Sequence, residues 1–146
     1  MRADVLAARP AQRGPLAAAT ILAFLVGGLL VMWTAYIHFV LWHSVGYRHI
    51  HIIGPLFVLQ AVSGLVLGIL VVLVRRVWVA IGGIGFAVST MAGFLLSVLL
   101  PNGLFNFKES WLAPFAKQAF GIEIATAVVL VVAAALCLAP QRSSAS

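Results

Sequence analysis

A chain of 146 residues with 64% hydrophobic and only 8% charged content lacks the polar surface a soluble globule needs, which excludes that class. The formal net charge of +6 comes from nine Lys or Arg against three acids. Most of those bases lie in the tail or between apolar runs, which is a membrane-topology pattern and not a nucleic-acid surface.

Residues 1–14 carry Arg2, Arg9 and Arg13 with only Asp4 opposing, broken by Pro10 and Gly14. They read as a short, mobile basic tail at an anionic membrane surface. The domain that follows, 15–139, holds four apolar runs. The first, 16–40, is long enough for a tilted crossing of a hydrocarbon core about 30 Å thick. Because it ends in Trp33, Tyr36, Phe39 and Trp42 and not at a small-residue cleavage site, it is expected to be an uncleaved signal-anchor.

The link after it belongs to the most distinctive stretch of the chain, His38 to Gln60, HFVLWHSVGYRHIHIIGPLFVLQ, which holds all four histidines and Arg48. The second span, 52–74, has Pro55 in its first turn, where a missing amide donor does no harm. Arg75 and Arg76 end it, and so tight a connection makes the third span, 77–100, its antiparallel neighbour. Gly64 and Gly68 on the second span, with Gly82, Gly83, Gly85 and Gly93 on the third, are candidates for close helix packing. Pro101, Asn102 and Gly103 open a second link, PNGLFNFKESWLAP, in which Trp111 suits the headgroup level. The fourth span, 113–138, has Pro114 near its first turn and contains Cys137, the lone cysteine, which reads as a small apolar residue with no disulfide partner. Residues 140–146 form a short polar tail. The expected fold is all-α, an integral membrane four-helix antiparallel bundle.

Arg2, Arg9, Arg13, Arg75, Arg76 and Arg142 fall on one side of such a bundle, and Arg48, Lys108 and Lys117 on the other. The bias predicts a plasma-membrane protein with both termini cytoplasmic and both long links outside. Counted at 1.5 Å per residue, Gln60 and Glu123 each lie roughly 12–13 Å below the outer ends of their spans. Thr34 and Thr90 fall near the same level and Ser63 about one turn deeper, so these five residues are candidates for one polar pocket. A membrane-embedded glutamate is costly unless paired, protonated or wetted, which makes Glu123 a functional candidate. The competing structural reading has neutral Glu123 hydrogen-bonding Gln60 or a hydroxyl as packing glue.

The histidines divide. His49 and His51 share a direction only if their segment is extended, and His38 and His43, five apart, diverge on a continuous helix. With no second cluster of His or Cys, a metal site at His38, His43, His49 and His51 lacks its full ligand set, and bis-histidine haem lacks ligands facing each other from separate helices. Neither metal nor cofactor is therefore expected. An interfacial role suits these aromatic and imidazole rings, leaving Arg48 to pair with Glu109, Glu123 or a lipid phosphate. The catalytic signatures sought, a nucleophile with its base, paired acids and a phosphate loop, are missing from the sequence.

The order of an aromatic-rich first link, a GPLF opening to the second span and a GLF-aromatic-KES second link resembles small four-span membrane proteins of unknown function from high-GC Gram-positive (actinobacterial) bacteria. The resemblance covers about residues 20–138 and carries no catalytic residues. It implies a plasma-membrane location and work as an accessory to exported or envelope proteins. Two classes of function follow. The first is a non-enzymatic accessory subunit that engages another membrane or exported protein through Trp42, Tyr47, Arg48, Lys108 and Trp111 and its small-residue faces. Besides lipid, such a protein would meet that partner or a second copy in a homo-oligomer, and no nucleic acid. The second is a small-ligand, haem or metal-binding redox site, or a small transporter component, using His38, Arg48, His49, His51, Gln60 and Glu123. A third reading is proton conduction through Glu123.

Overall fold

The computed structural model describes residues 3–8 and 14–139. One helical turn, α1 (Ala3–Leu6), precedes four long helices: α2 (Pro15–Ser44), α3 (Ile53–Val74), α4 (Val77–Leu99) and α5 (Ala116–Leu138). A 3-10 turn at Tyr47–His49 lies between α2 and α3. Each long helix is long and apolar enough to cross a membrane, and the chain is a multi-pass, all-α membrane bundle.

Three boundaries differ from the sequence reading. α2 runs four residues past position 40, because no helix breaker intervenes before Gly46, and so takes His43 into the helix. α5 starts at Ala116, so Pro114 precedes it; Phe115 before it has a left-handed backbone (φ +62°), which a helix cannot continue through. Residues 3–8, expected as a mobile tail, form α1 and a short extension whose Ala8 carbonyl accepts the Val77 amide at 3.3 Å. That amide opens α4 and has no acceptor within its own helix. Arg2, Arg9, Arg13, Arg142 and the 140–146 tail lie outside the described residues.

α2 packs on α3 and α5, and α5 on α4, while α3 and α4 share much less contact than their tight turn would lead one to expect. Closest approach is between α2 and α3. A Cβ at Gly68 would stand 2.9 Å from the Gly28 carbonyl oxygen, and one at Gly28 would stand 2.8 Å from that of Gly68. In lipid, where apolar burial gives no drive between helices, such backbone proximity is the main source of packing energy. The apolar core, including Phe24, Val71, Val79, Leu130 and Ala133, gathers toward the Arg75–Arg76 end. Its centre is Leu130, which fills the notch left by Gly27 and Gly83. Toward the opposite end, where both long links lie, the buried residues include Thr34, His38, Ser97 and Glu123.

Candidate functional site

A cavity of about 250 Å³ takes the place of a packed core at the link end. α3 supplies Leu56, Leu59 and Gln60 to one wall, and α4 supplies Ser89, Thr90 and Gly93 to the other. His38 of α2 and Glu123 of α5 complete the lining. The space exists because several of these positions are small: a Cβ at Gly93 would meet no atom within 4 Å, and α5 presents Ala116 and Ala119. Below it, the Gln60 side-chain amide donates to the Thr90 hydroxyl, which donates in turn to the Phe86 carbonyl at 2.8 Å. This pair joins α3 to α4 and forms the floor.

The links form the roof. Leu104 and Phe107 exchange two backbone hydrogen bonds of 2.9 Å around Phe105 and Asn106, both at positive φ, which makes a tight hairpin. Gly103 (φ +69°) admits that hairpin, since any Cβ there would collide with the Phe107 carbonyl. The Tyr47 ring meets Phe57 and Phe107 edge-on at centroid distances of 4.9 and 5.5 Å. Its hydroxyl donates to Glu109 at 2.8 Å, and the Glu109 amide donates to the Ser97 carbonyl at 3.2 Å. The first link is thereby tied through the second to the end of α4. Burial, reinforced by the hydrogen bond to Glu109 and its charge, pushes the Tyr47 phenol well above its ordinary pKa.

Glu123 is 2% exposed, and its Oε1 has no hydrogen-bond partner. The expected pairing with Gln60 is not made, because Gln60 is turned to Thr90. His38 is 6% exposed, with Nδ1 2.9 Å from the Thr34 carbonyl. A carbonyl oxygen only accepts, so the proton is assigned to Nδ1, and a neutral ring then leaves Nε2 as an acceptor. The ring lies against Phe57 at 5.1 Å.

No protein family, curated protein or solved structure matches the chain.

The five residues assigned by depth to one pocket separate on inspection. Gln60, Thr90 and Glu123 line the cavity. Thr34 is buried on α2 with an unpartnered Oγ1 and is not part of the lining, while Ser63 donates to the Leu59 carbonyl of its own helix at 2.6 Å. Two of the five outer-face residues make contacts within the chain, Tyr47 half-buried and Trp111 still 38% exposed. Tyr47 is the roof tie, and Trp111 packs on Phe94 and Phe120 at 4.6 and 5.1 Å. Arg48 is exposed and donates through Nε to His49 at 3.0 Å, and Lys108 donates to the Leu100 carbonyl at 2.5 Å. The expected Arg48 pairings with Glu109 and Glu123 are therefore not formed. Trp42 is half-buried, with His43 and Phe39 nearby on the same helix, and His43, His49 and His51 are exposed. Among the described residues no three His, Cys, Asp or Glu side chains converge. His38 is the one histidine that reaches the cavity, and it does so from a helix, not from the link.

Glu109 and the aromatic walls were not singled out from the sequence as parts of a site. A signal was present, since the chain has three acids and two of them, Glu109 and Glu123, line this cavity.

Proposed function

We propose that this protein is a membrane-embedded receptor for a small, mainly apolar molecule, held between α3 and α4 at the link end of the bundle. One observation carries the reading: a cavity of about 250 Å³ receives a buried carboxyl, Glu123, with an unpartnered oxygen. Buried polar atoms are almost always hydrogen-bonded, and an unpartnered carboxyl in the wall of a cavity marks where a partner belongs. Apolar walls with a few polar groups are the usual composition of a small-molecule site. Of the residues first considered for a ligand, His38, Gln60 and Glu123 supply those groups, whereas Arg48, His49 and His51 stand outside. No reaction is assigned to the site.

The same geometry weakens the accessory reading, in which the outer links and small-residue faces hold a partner protein. Tyr47 and Trp111 are engaged in internal contacts, and Gly28, Gly64, Gly68 and Gly83 face other helices of the same chain. For orientation, we place both termini on the cytoplasmic side of the plasma membrane. Arg75 and Arg76 lie at the α1 end, Arg48 and Lys108 at the other, and the cavity then faces the outer leaflet. Assignment to the actinobacterial four-span proteins is retained as part of this proposal.

Gly93→Leu tests the ligand reading. The new side chain enters the cavity without meeting a neighbour at its Cβ, and it replaces a helix-interior glycine, worth roughly 1 kcal/mol to the helix. Organic extracts of wild type and variant, purified from the native membrane in mild detergent, are compared by mass spectrometry. A small molecule stoichiometric with wild type and missing from a folded Gly93→Leu protein supports the reading. Identical extracts refute it, and a co-purifying protein lost on mutation of the links would return the accessory role.

A further inference from the structure

The ligand reading leaves the chemistry of the ligand open, and the lining narrows it. We infer that the cavity is built for a lipophilic ammonium, an apolar body bearing one positive charge whose N–H groups meet the Glu123 carboxylate; this rests on the ligand reading above.

Three independent features converge. The first is the hydrogen-bonding capacity that the protein leaves unused. Glu123 Oε1 has no partner, and His38 Nε2, with Nδ1 turned to the Thr34 carbonyl, is an acceptor. Most donors on the lining are already engaged: Gln60 gives one of its two amide N–H groups to Thr90, and Thr90 gives to Phe86, Tyr47 to Glu109, Ser97 to Phe94 and Ser89 to Phe86. A cavity whose free acceptors outnumber its free donors takes a ligand that donates.

The second feature is charge. Glu109 and Glu123 are both on the lining, and no Lys or Arg is among the residues that form it. A carboxylate or phosphate ligand would find no counter-charge and would be desolvated beside like charge. The same argument disfavours a phospholipid headgroup, since its ammonium travels with a phosphate. The third is the walls. Tyr47, Phe57, Phe94, Phe107 and Phe120 line the space, and aromatic faces attract a cation within about 6 Å of their centroids. Desolvation strengthens both the ion pair and the cation–π contacts, which are weak when exposed.

The polar groups that share the lining with Glu123 are His38 from α2, Gln60 from α3, Ser89, Thr90 and Ser97 from α4, and Tyr47 and Glu109 from the roof. None is a permanent cation. When the empty site holds Glu123 protonated, binding an ammonium releases that proton, and the net charge of the cavity is conserved.

The test uses the full chain in lipid nanodiscs near neutral pH and two probes of matched size, 2-phenylethylammonium and 2-phenylethanol, with binding measured by equilibrium dialysis and corrected with empty discs. The ammonium is expected to bind wild type about tenfold tighter than the alcohol, as a charge-assisted bond and cation–π contacts together imply. Glu123→Gln keeps shape and polarity. It is expected to weaken the ammonium by about tenfold while leaving the alcohol within about twofold. Binding of the alcohol equal to or tighter than that of the ammonium overturns the inference but leaves the ligand reading standing; binding of neither probe overturns both. Phosphatidylethanolamine discs are expected to match phosphatidylcholine discs. Loss of ammonium binding only in the former assigns the site to a lipid headgroup and overturns the free-ligand inference.

Discussion

The close crossing of α2 on α3 supports a quantitative prediction. Gly68→Ala adds one methyl group whose carbon would lie 2.9 Å from the Gly28 carbonyl oxygen and 3.2 Å from the Met32 backbone nitrogen. Carbon–oxygen contacts of this kind normally run about 3.3–3.6 Å, so α2 and α3 must separate by roughly half an ångström. The nearest obstruction, Met32 Cγ at 2.5 Å, is a side chain that can turn aside, but the two backbone atoms cannot, so no rotamer change relieves the whole contact. That places the overpacking cost near the upper end of its usual range, about 3 kcal/mol. Removing a glycine from a helix interior returns about 1 kcal/mol, leaving a net loss of about 2 kcal/mol.

Gly85→Ala is the control, because a Cβ there meets nothing within 4 Å. It keeps only the helix gain and is expected to stabilise by up to about 1 kcal/mol. Two identical substitutions on neighbouring helices should therefore differ by about 3 kcal/mol. Gly28→Ala strains the same crossing from the other side. Once the helices have moved apart for one methyl, the second costs less, so the double variant should fall short of the sum by about 1 kcal/mol. Reversible unfolding in mixed micelles, followed by helical circular dichroism against mole fraction of SDS, measures all four proteins. Equal stabilities for Gly68→Ala and Gly85→Ala, or full additivity of the Gly28 and Gly68 changes, would refute the close crossing.

Other expectations follow from the link end. Glu123→Leu replaces a buried carboxyl with an unpartnered oxygen and should stabilise the ligand-free protein by about 1–3 kcal/mol in the same titration, whereas destabilisation would reveal a protein partner for that oxygen. Tyr47→Phe removes the hydroxyl tie to Glu109 and should cost about 1.5–3 kcal/mol, since the acceptor is a carboxylate. Tyr47 also makes stability depend on pH: its folded pKa is raised above the ordinary 10.0, so the unfolded chain loses the proton first, and stability present below that value is lost as pH rises through and beyond it. Tyr47→Phe should flatten that alkaline loss, and an unchanged profile would contradict the assignment. For topology, Asn106→Cys in a Cys137→Ser background should react with an impermeant maleimide in intact cells; labelling only after permeabilisation would reverse the orientation.

The four spans were legible because length and apolarity are properties of a segment, and Arg75–Arg76 and Pro101 mark segment ends whatever the packing. The level of Gln60, Thr90 and Glu123 was legible as well, since rise per residue is fixed and all three reach one cavity. Which way each side chain points was not. In lipid both faces of a helix are apolar, so α3 shows leucines outward at Leu65 and Leu73 and turns Gly64, Gly68 and Val71 inward, and no hydrophobic pattern separates the two sets. Thr34 and Ser63, correct in depth, fall off the cavity for that reason. Tyr47 and Trp111 have the composition of interface anchors, and only the fold of both links shows that their partners are Glu109 and Phe94. His38 was grouped with the other histidines by proximity in sequence; the continuation of α2 to Ser44 separates them.

An experimental density map of the protein in lipid nanodiscs, after purification from its native membrane, tests the central claim most directly. The account predicts compact non-protein density between α3 and α4, bounded by Leu59, Thr90 and Gly93 and in contact with Glu123. Closure of α3 on α4 through Leu59 and Ser89, with the Glu123 carboxyl hydrogen-bonded to a protein group, would contradict it.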